Sequence, residues 1–320
     1  MVWKKGSLHA SVTRNEKTLF IERERPMKKV VIAGGTGFIG EYFQKKFKDQ
    51  GYEVKIISRQ KHHVSWEDKE DIVEALEDAE LLINLAGKSV NCRYNEVNKN
   101  EIMNSRVKTT TILGESIQAC TNPPKTWINS STATIYRHAE DRPMTEENGE
   151  MGSGFSVDVA TNWEKTFFSF DLQNTRQVAL RIAIVLGKDG GVMTPYKNLV
   201  KFGLGGNQGN GKQKFSWIHV EDLFQMVLFL KDREDLSGVF NCSSPAPITN
   251  YEFMNTLRKT MGVPFGLPSP KWVLEIGSIF IKTETELVLK SRWVLPERLQ
   301  REGYSFVYPT LDKTLQDILN

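Results

Sequence analysis

From Lys28 onward the chain alternates short unbroken apolar runs with longer stretches whose apolar residues recur every three or four positions. Val30-Val31-Ile32-Ala33 is a run of the first kind, the pattern of a parallel strand covered on both faces. Phe38, Ile39, Tyr42, Phe43 and Phe47 follow at helical spacing and stop at Gly51, a natural helix end. The same cycle predicts a strand over 54–58, a helix through Ile72, Val73 and Leu76, and a strand over 81–85. A long helix near 97–119, a strand at 127–129, a helix around 163–170 and a strand over 178–186 come next. Serial strand–helix units of this length specify an α/β fold, a doubly wound parallel sheet of six or seven strands with helices on both faces.

Beyond Gly187 the regularity fades into a glycine-rich stretch, Gly203 to Gly211. After it come 215–219, a helix over 221–230 and a strand over 238–242. Thr249 to Glu252 reads as a capping box opening a helix that ends near Gly262, and the last 60 or so residues read as mostly helical, punctuated by prolines. These patterns predict a main domain over 27–188, its sheet completed by 213–243, and a small mixed α/β lobe from 189–212 and 244–320. Residues 1–26 form an N-terminal extension. Leu8, Ala10, Val12, Leu19 and Ile21 alternate about a charged turn there, which fits a hairpin or a disordered tail equally.

Composition narrows the function classes. With 42 Lys+Arg against 39 Asp+Glu, 39% apolar and 25% charged residues among 320, the chain is ordinarily globular, and its small positive excess is spread out. No nucleic-acid groove is implied, whereas small-molecule ligands are. The three cysteines, Cys92, Cys120 and Cys242, lie far apart without a CxxC pair, against a disulfide framework or a zinc site. His62-His63 has no spaced third ligand, so no metal is expected. A reducing, cytoplasmic compartment and no membrane association are expected, since no run approaches the roughly 18 apolar residues of a span. A homodimer stays open.

Gly34-Gly35-Thr36-Gly37-Phe38-Ile39-Gly40 sits between a predicted strand and a predicted helix. Glycines there let the backbone turn sharply and let a pyrophosphate approach the helix N-terminus, so the motif marks a dinucleotide site on a Rossmann-type domain. The next strand ends in Ser58-Arg59-Gln60-Lys61, with no carboxylate to grip a ribose hydroxyl. Ser58 and Arg59 suit a 2′-phosphate, which selects NADP(H) over NAD(H); a merely solvated loop is the plain alternative.

These residues, with Asn84-Leu85-Ala86-Gly87, Ser130-Ser131-Thr132, Trp217 to Asp222, Trp293 to Leu299 and Gly303 to Phe306, resemble the extended short-chain dehydrogenases/reductases. The likeness is to the atypical "epimerase family protein" branch, which is NAD-dependent epimerase/dehydratase-like. It runs from residue 28 to 320 and implies a Rossmann domain, a C-terminal substrate lobe and NADP(H). It also implies that Leu85, Ala86 and Gly87 line the adenine–ribose side, and that Arg106, with Glu101 nearby, contacts the cofactor. A surface ion pair between Arg106 and Glu101 is the plain alternative. Typical relatives use a YxxxK pair, tyrosine as acid/base and lysine beside it. Here Ser156 and Ala160 occupy those places.

Thr132 and Tyr136 are the substitute catalytic candidates, set against a loop-capping hydroxyl and a core phenol. Asp158 and Glu164 offer carboxylates, or a charged helix face. In sugar-nucleotide epimerases an arginine grips the substrate diphosphate where this chain has Phe215, and His219 reads as structural. The reading is an NADP(H)-dependent oxidoreductase acting on a small carbonyl or alcohol. A non-catalytic NADP(H) sensor and a sugar-nucleotide epimerase/dehydratase are the alternatives.

Overall fold

The computed structural model describes residues 27–188, 190–270 and 289–320. The hairpin or tail expected over 1–26, and the helical reading of 271–288, lie outside the described residues. In chain order the first half comprises β1 (Lys29–Ala33), α1 (Phe38–Asp49), β2 (Glu53–Ser58), β3 (Val64–Ser65), α2 (Lys69–Leu76), β4 (Leu81–Asn84), α3 (Glu96–Ala119) and β5 (Thr126–Thr132). Then come α4 (Phe155–Phe168), β6 (Arg176–Ile182), β7 (Ile184–Leu186), α5 (Met193–Lys201), β8 (Lys214–Phe215), β9 (Trp217–His219) and α6 (Val220–Asp232). The chain closes with β10 (Gly238–Cys242), β11 (Ile248–Thr249), α7 (Asn250–Thr260), α8 (Glu297–Arg301) and α9 (Leu311–Leu319).

Seven strands form one parallel sheet in the order β10-β6-β5-β4-β1-β2-β3. This is the Rossmann-type doubly wound arrangement. The chain leaves β1 first toward β2 and later toward β4, so a crevice opens above the carboxyl ends of β1 and β4, where such sheets bind ligands. Alternation along β1 supplies both faces. Val30 and Ile32 pack with Phe43 and Phe47 of α1 and Leu223, Phe224 and Val227 of α6, whereas Val31 and Ala33 pack with Ile72, Leu76, Leu113, Ile117 and Phe167 on the other side. Each such large side chain, removed from water, contributes about 1.5–3 kcal/mol.

Elsewhere the structure redraws the expected elements. The single strand predicted over 178–186 breaks at Ala183, because the backbone changes partner. Ala183 N donates to Cys242 O at 3.0 Å, but Ile184 N donates to Ser216 O at 3.2 Å, and β7 leaves the main sheet to pair with β9. An apolar run records burial and says nothing about which strand it pairs with. Helix α5, lying in the stretch read as irregular, joins α7, α9, Phe215 and Trp217 in a separate apolar cluster. Residues 289–320 are less helical than predicted. Between α8 and α9 the chain is held open by Asp222, whose carboxylate accepts from Val307 N at 2.8 Å, Tyr308 N at 2.9 Å and the Tyr304 hydroxyl at 3.2 Å. Both halves of the capping box at Thr249 and Glu252 are present. Among the described residues no helix is long and apolar enough to cross a membrane.

Candidate functional site

A cleft of about 480 Å³ opens over the carboxyl edge of the sheet, lined by the glycine loop, the ends of β4 and β5, the start of α4 and residues 182–185. At its glycine end each glycine has a distinct reason. Gly34 has φ +74°, and a Cβ there would stand 2.6 Å from the Ala86 backbone. A Cβ on Gly40 would overlap the Gly35 carbonyl oxygen, the group that also accepts from Gln44 Nε2 at 2.8 Å. Gly37 differs. A Cβ there meets nothing within 4 Å, and Gly37 is the N-cap of α1 with no side chain capping the helix. The first turn of α1 therefore presents free N–H groups and the positive end of its dipole to an open space, the donor set a pyrophosphate fits.

The opposite end is built from side chains. Ser131, Thr132 and Ser156 all line the cleft. The Ser131 hydroxyl donates to Glu164 Oε1 at 2.5 Å, and Arg181 grips the same carboxylate through Nε at 2.9 Å and Nη2 at 2.8 Å. Burial works against the charge on Arg181, yet Glu164 and the Tyr136 hydroxyl hold its pKa above the ordinary value. Thr132 Oγ1 accepts from Thr134 N at 3.1 Å, and the Ser156 hydroxyl is buried with no partner. A buried hydroxyl without a partner carries a desolvation cost. Phe38, Tyr94, Phe155 and Trp163 give the cleft apolar walls.

The structure brings most sequence-predicted site residues to this cleft. Gly34, Gly37, Phe38, Ile39, Gly40, Leu85, Arg106 and Thr132 line it. Gly35 and Thr36 complete the turn, Ala86 is buried against Gly34, and Gly87 lies against the Arg106 guanidinium. Arg106 is half-buried. Its Nη1 donates to Lys88 O at 3.1 Å and Ile102 O at 3.0 Å, and the guanidinium lies 5.1 Å from the Trp163 ring centre. Among the described residues no carboxylate pairs with it, and burial brings its pKa down to about 10.

Two expectations are corrected. Glu101 does not line the cleft; it is exposed and pairs with Lys88, not with Arg106. Tyr136 is 1% exposed and points into the core, donating to Asn241 Oδ1 at 2.9 Å and accepting from Arg181 Nη1 at 2.9 Å. Burial raises its pKa against the pull of Arg181, so it is the core phenol rather than a catalytic one. The Ser58 hydroxyl accepts from Gln60 N at 3.0 Å and bonds His63 Nδ1 at 2.8 Å, and Arg59 beside it is exposed at that strand end.

Asp158 lies on the exposed face of α4, whereas Glu164 turns inward. Phe215 is buried and stacks on Phe253 with ring centres 4.4 Å apart, far from the role of a diphosphate grip. His219 caps α6 through Nδ1, which accepts from Glu221 N at 3.1 Å, and its Nε2 lies 3.2 Å from Asp317 Oδ2. No group of three His, Cys, Asp or Glu among the described residues could hold a metal. Arg181 escaped the sequence reading, though a charge inside the apolar run Val178 to Ile182 was a signal that a buried partner must exist.

Comparison with known proteins places this geometry. Residues 30–156 match the model of the NAD dependent epimerase/dehydratase family, and residues 269–318 match a domain of unknown function, DUF1731. The mouse epimerase family protein SDR39U1 is 31% identical over 297 residues, spanning 91% of this chain and 99% of the mouse protein. The chain belongs to the NAD dependent epimerase/dehydratase family. Within that family, a crystal structure of human SDR39U1 with NADPH matches at a TM-score of 0.83 and 29% identity, covering 91% of this chain and 98% of the human one. A nucleoside-diphosphate sugar epimerase from Corynebacterium glutamicum matches at a TM-score of 0.73 and 25% identity, covering 91% of this chain and 58% of that one.

Proposed function

We propose that this epimerase-family chain binds NADP(H) in the glycine-lined cleft and is an oxidoreductase acting on a small carbonyl or alcohol. The observation that carries the reading is the open, uncapped N-terminus of α1 at Gly37, at the cleft that Thr132 also lines. The NADPH in the human SDR39U1 structure supports the choice of dinucleotide. Gly34 to Gly40 cradle the pyrophosphate, Leu85, Ala86 and Gly87 border the adenine–ribose half, Arg59 meets the 2′-phosphate, and Arg106 faces the bound anion. Bound NADPH supplies a hydride to the carbonyl carbon, and a proton from water completes the alcohol. Thr132 donates its hydroxyl proton to the carbonyl oxygen, polarising it as charge builds there. The buried Phe215 and the absence of an arginine at its place weigh against a sugar-nucleotide substrate. All three cysteines are free, in keeping with the reducing cytoplasm.

Fluorescence titration with NADPH and NADH tests the reading. NADPH should bind in preference, and Arg59→Ala should weaken NADPH about tenfold to a hundredfold, the worth of one charge-assisted contact, while leaving NADH unchanged. Absence of binding by either dinucleotide would overturn it. One observation favours a second reading, an NADP(H) sensor without turnover: the candidate phenol beyond β5, Tyr136, is locked in the core. Tight NADPH binding with no NADPH oxidation across a carbonyl panel would select that reading.

A further inference from the structure

The carboxyl end of β2 collects basic groups. Arg59, Lys61, His62 and His63 all fall in the turn between β2 and β3, which is pinned at both ends by the pairing of Ile57 with Val64 and Ser58 with Ser65. His63 N closes the turn by donating to Gln60 O at 3.1 Å, and the turn folds round the Ser58 hydroxyl, which accepts from Gln60 N and bonds His63 Nδ1 at 2.8 Å. The His63 ring is thereby held at the strand end from which Arg59 also leaves. Gly34 N donates to Ile57 O at 2.8 Å, so this end of β2 is tied directly to the glycine loop. The bond to Ser58 occupies Nδ1 and leaves Nε2 as the ring nitrogen open to a ligand. His62 lies against the same ring, with centres 4.1 Å apart, and Lys48 of α1 is the other charged group that acts on His63. Among the described residues no carboxylate pairs with Lys48, Arg59, Lys61, His62 or His63.

We infer that His62 and His63 belong to the 2′-phosphate site beside Arg59, and that His63 takes up a proton as the phosphate binds, so that the preference for NADP(H) over NAD(H) strengthens as pH falls from 8.5 to 6.5. This rests on the reading of the cleft as an NADP(H) site. Burial first, then His62 and Lys48, lower the pKa of His63, so the free protein keeps that ring mostly neutral at pH 7. A phosphate dianion reverses the balance, since it attracts the imidazolium that the neighbouring cations repel. Arg59 supplies the permanent charge at this strand end and the histidine pair the adjustable one. One proton passes from solvent to the imidazole, the phosphate stays a dianion, and no other bond changes.

Calorimetric titration of the full-length protein with NADP+ and NAD+ between pH 8.5 and 6.5, in paired buffers of unlike ionisation heat, reads affinity and protons exchanged together. The window stays above the phosphate's own second pKa of about 6, below which the ligand loses charge. NADP+ should tighten about tenfold across it, the worth of one charge-assisted hydrogen bond, with net proton uptake, while NAD+ stays flat. The sign of the exchange discriminates, because a phosphate gripped by permanent cations alone has its pKa lowered and releases protons on binding. In the double variant His62→Gln with His63→Gln, both the tightening and the uptake should vanish, with NAD+ affinity unchanged. Should that variant not fold, the His63 imidazole resonances of wild type carry the test: NADP+ should raise the pKa they report and NAD+ should not. An NADP+ preference that is equal at both ends of the window, proton release in place of uptake, or a tightening that survives in the double variant would overturn the inference and leave the cofactor reading standing. No binding of NADP+ at any pH would overturn both. Proton-linked NADP+ binding with no turnover of any carbonyl would uphold the inference and remove the oxidoreductase reading alone.

Discussion

At the glycine end of the cleft everything offered to a ligand is backbone: free N–H groups at the start of α1 and the space that Gly37 leaves. At the other end it is mostly side chain, with Ser131 held by Glu164 and Arg181 and Thr132 by Thr134. The first arrangement is written in a few consecutive residues and tolerates no other spacing. The second is assembled from β5, α4 and β6, which lie between Thr126 and Ile182. A ligand half common to many relatives can be bound by the first, whereas chemistry particular to this chain must come from the second.

That contrast can be broken most sharply at Arg181. Arg181→Met should strand the Glu164 carboxylate in the core and cost about 3–5 kcal/mol in chemical denaturation. A loss under about 1 kcal/mol would mean that the pair is not what holds this end together. Gly40→Ala tests the backbone end, where the new methyl overlaps the Gly35 carbonyl oxygen. Stability should fall by about 1–3 kcal/mol, and NADPH affinity should fall with it as the loop shifts.

Gly37→Ala separates ligand from fold within the same loop. Its methyl meets no protein atom, so the cost in unfolding should stay within about 1 kcal/mol, the N-cap preference for glycine over alanine. NADPH affinity should nevertheless drop about tenfold, since the methyl takes room meant for the pyrophosphate. A Gly37→Ala variant that binds NADPH normally would show that the pyrophosphate does not sit there.

The smallest effect belongs to the junction below the cleft. Burial lowers the pKa of His219, against the pull of Asp317. The unfolded chain therefore takes up a proton near pH 6.5 that the folded protein refuses, and the stability present above that pH declines as pH falls below it. His219→Asn retains an N-cap side chain and should flatten this slope in melting temperature between pH 7 and 5. An unchanged slope would assign the acid sensitivity to other groups.

Much of the fold was legible because burial leaves a period in sequence. β1, α1 and β4 appear within about two residues of their predicted ends, since each is either covered on both faces or striped. The glycine loop was legible because Gly34 and Gly40 leave no room for a Cβ. Arg106 was placed by resemblance, and the structure puts it on the cleft. Glu101 and Tyr136 were misplaced for the same reason as the strand over 178–186. Spacing along a chain gives the face a residue lies on, but not the partner that waits there.

Sequence alone determined the doubly wound sheet and the position of its glycine loop, because hydrophobic periodicity and the absence of Cβ atoms are properties of single residues and short spacings. The break at Ala183, the inward turn of Glu164 and the direction of the Ser131–Glu164 hydrogen bond were decided only in three dimensions. Each depends on which donor meets which acceptor across separate elements, and hydrogen-bond direction is a property of pairs that no local pattern encodes.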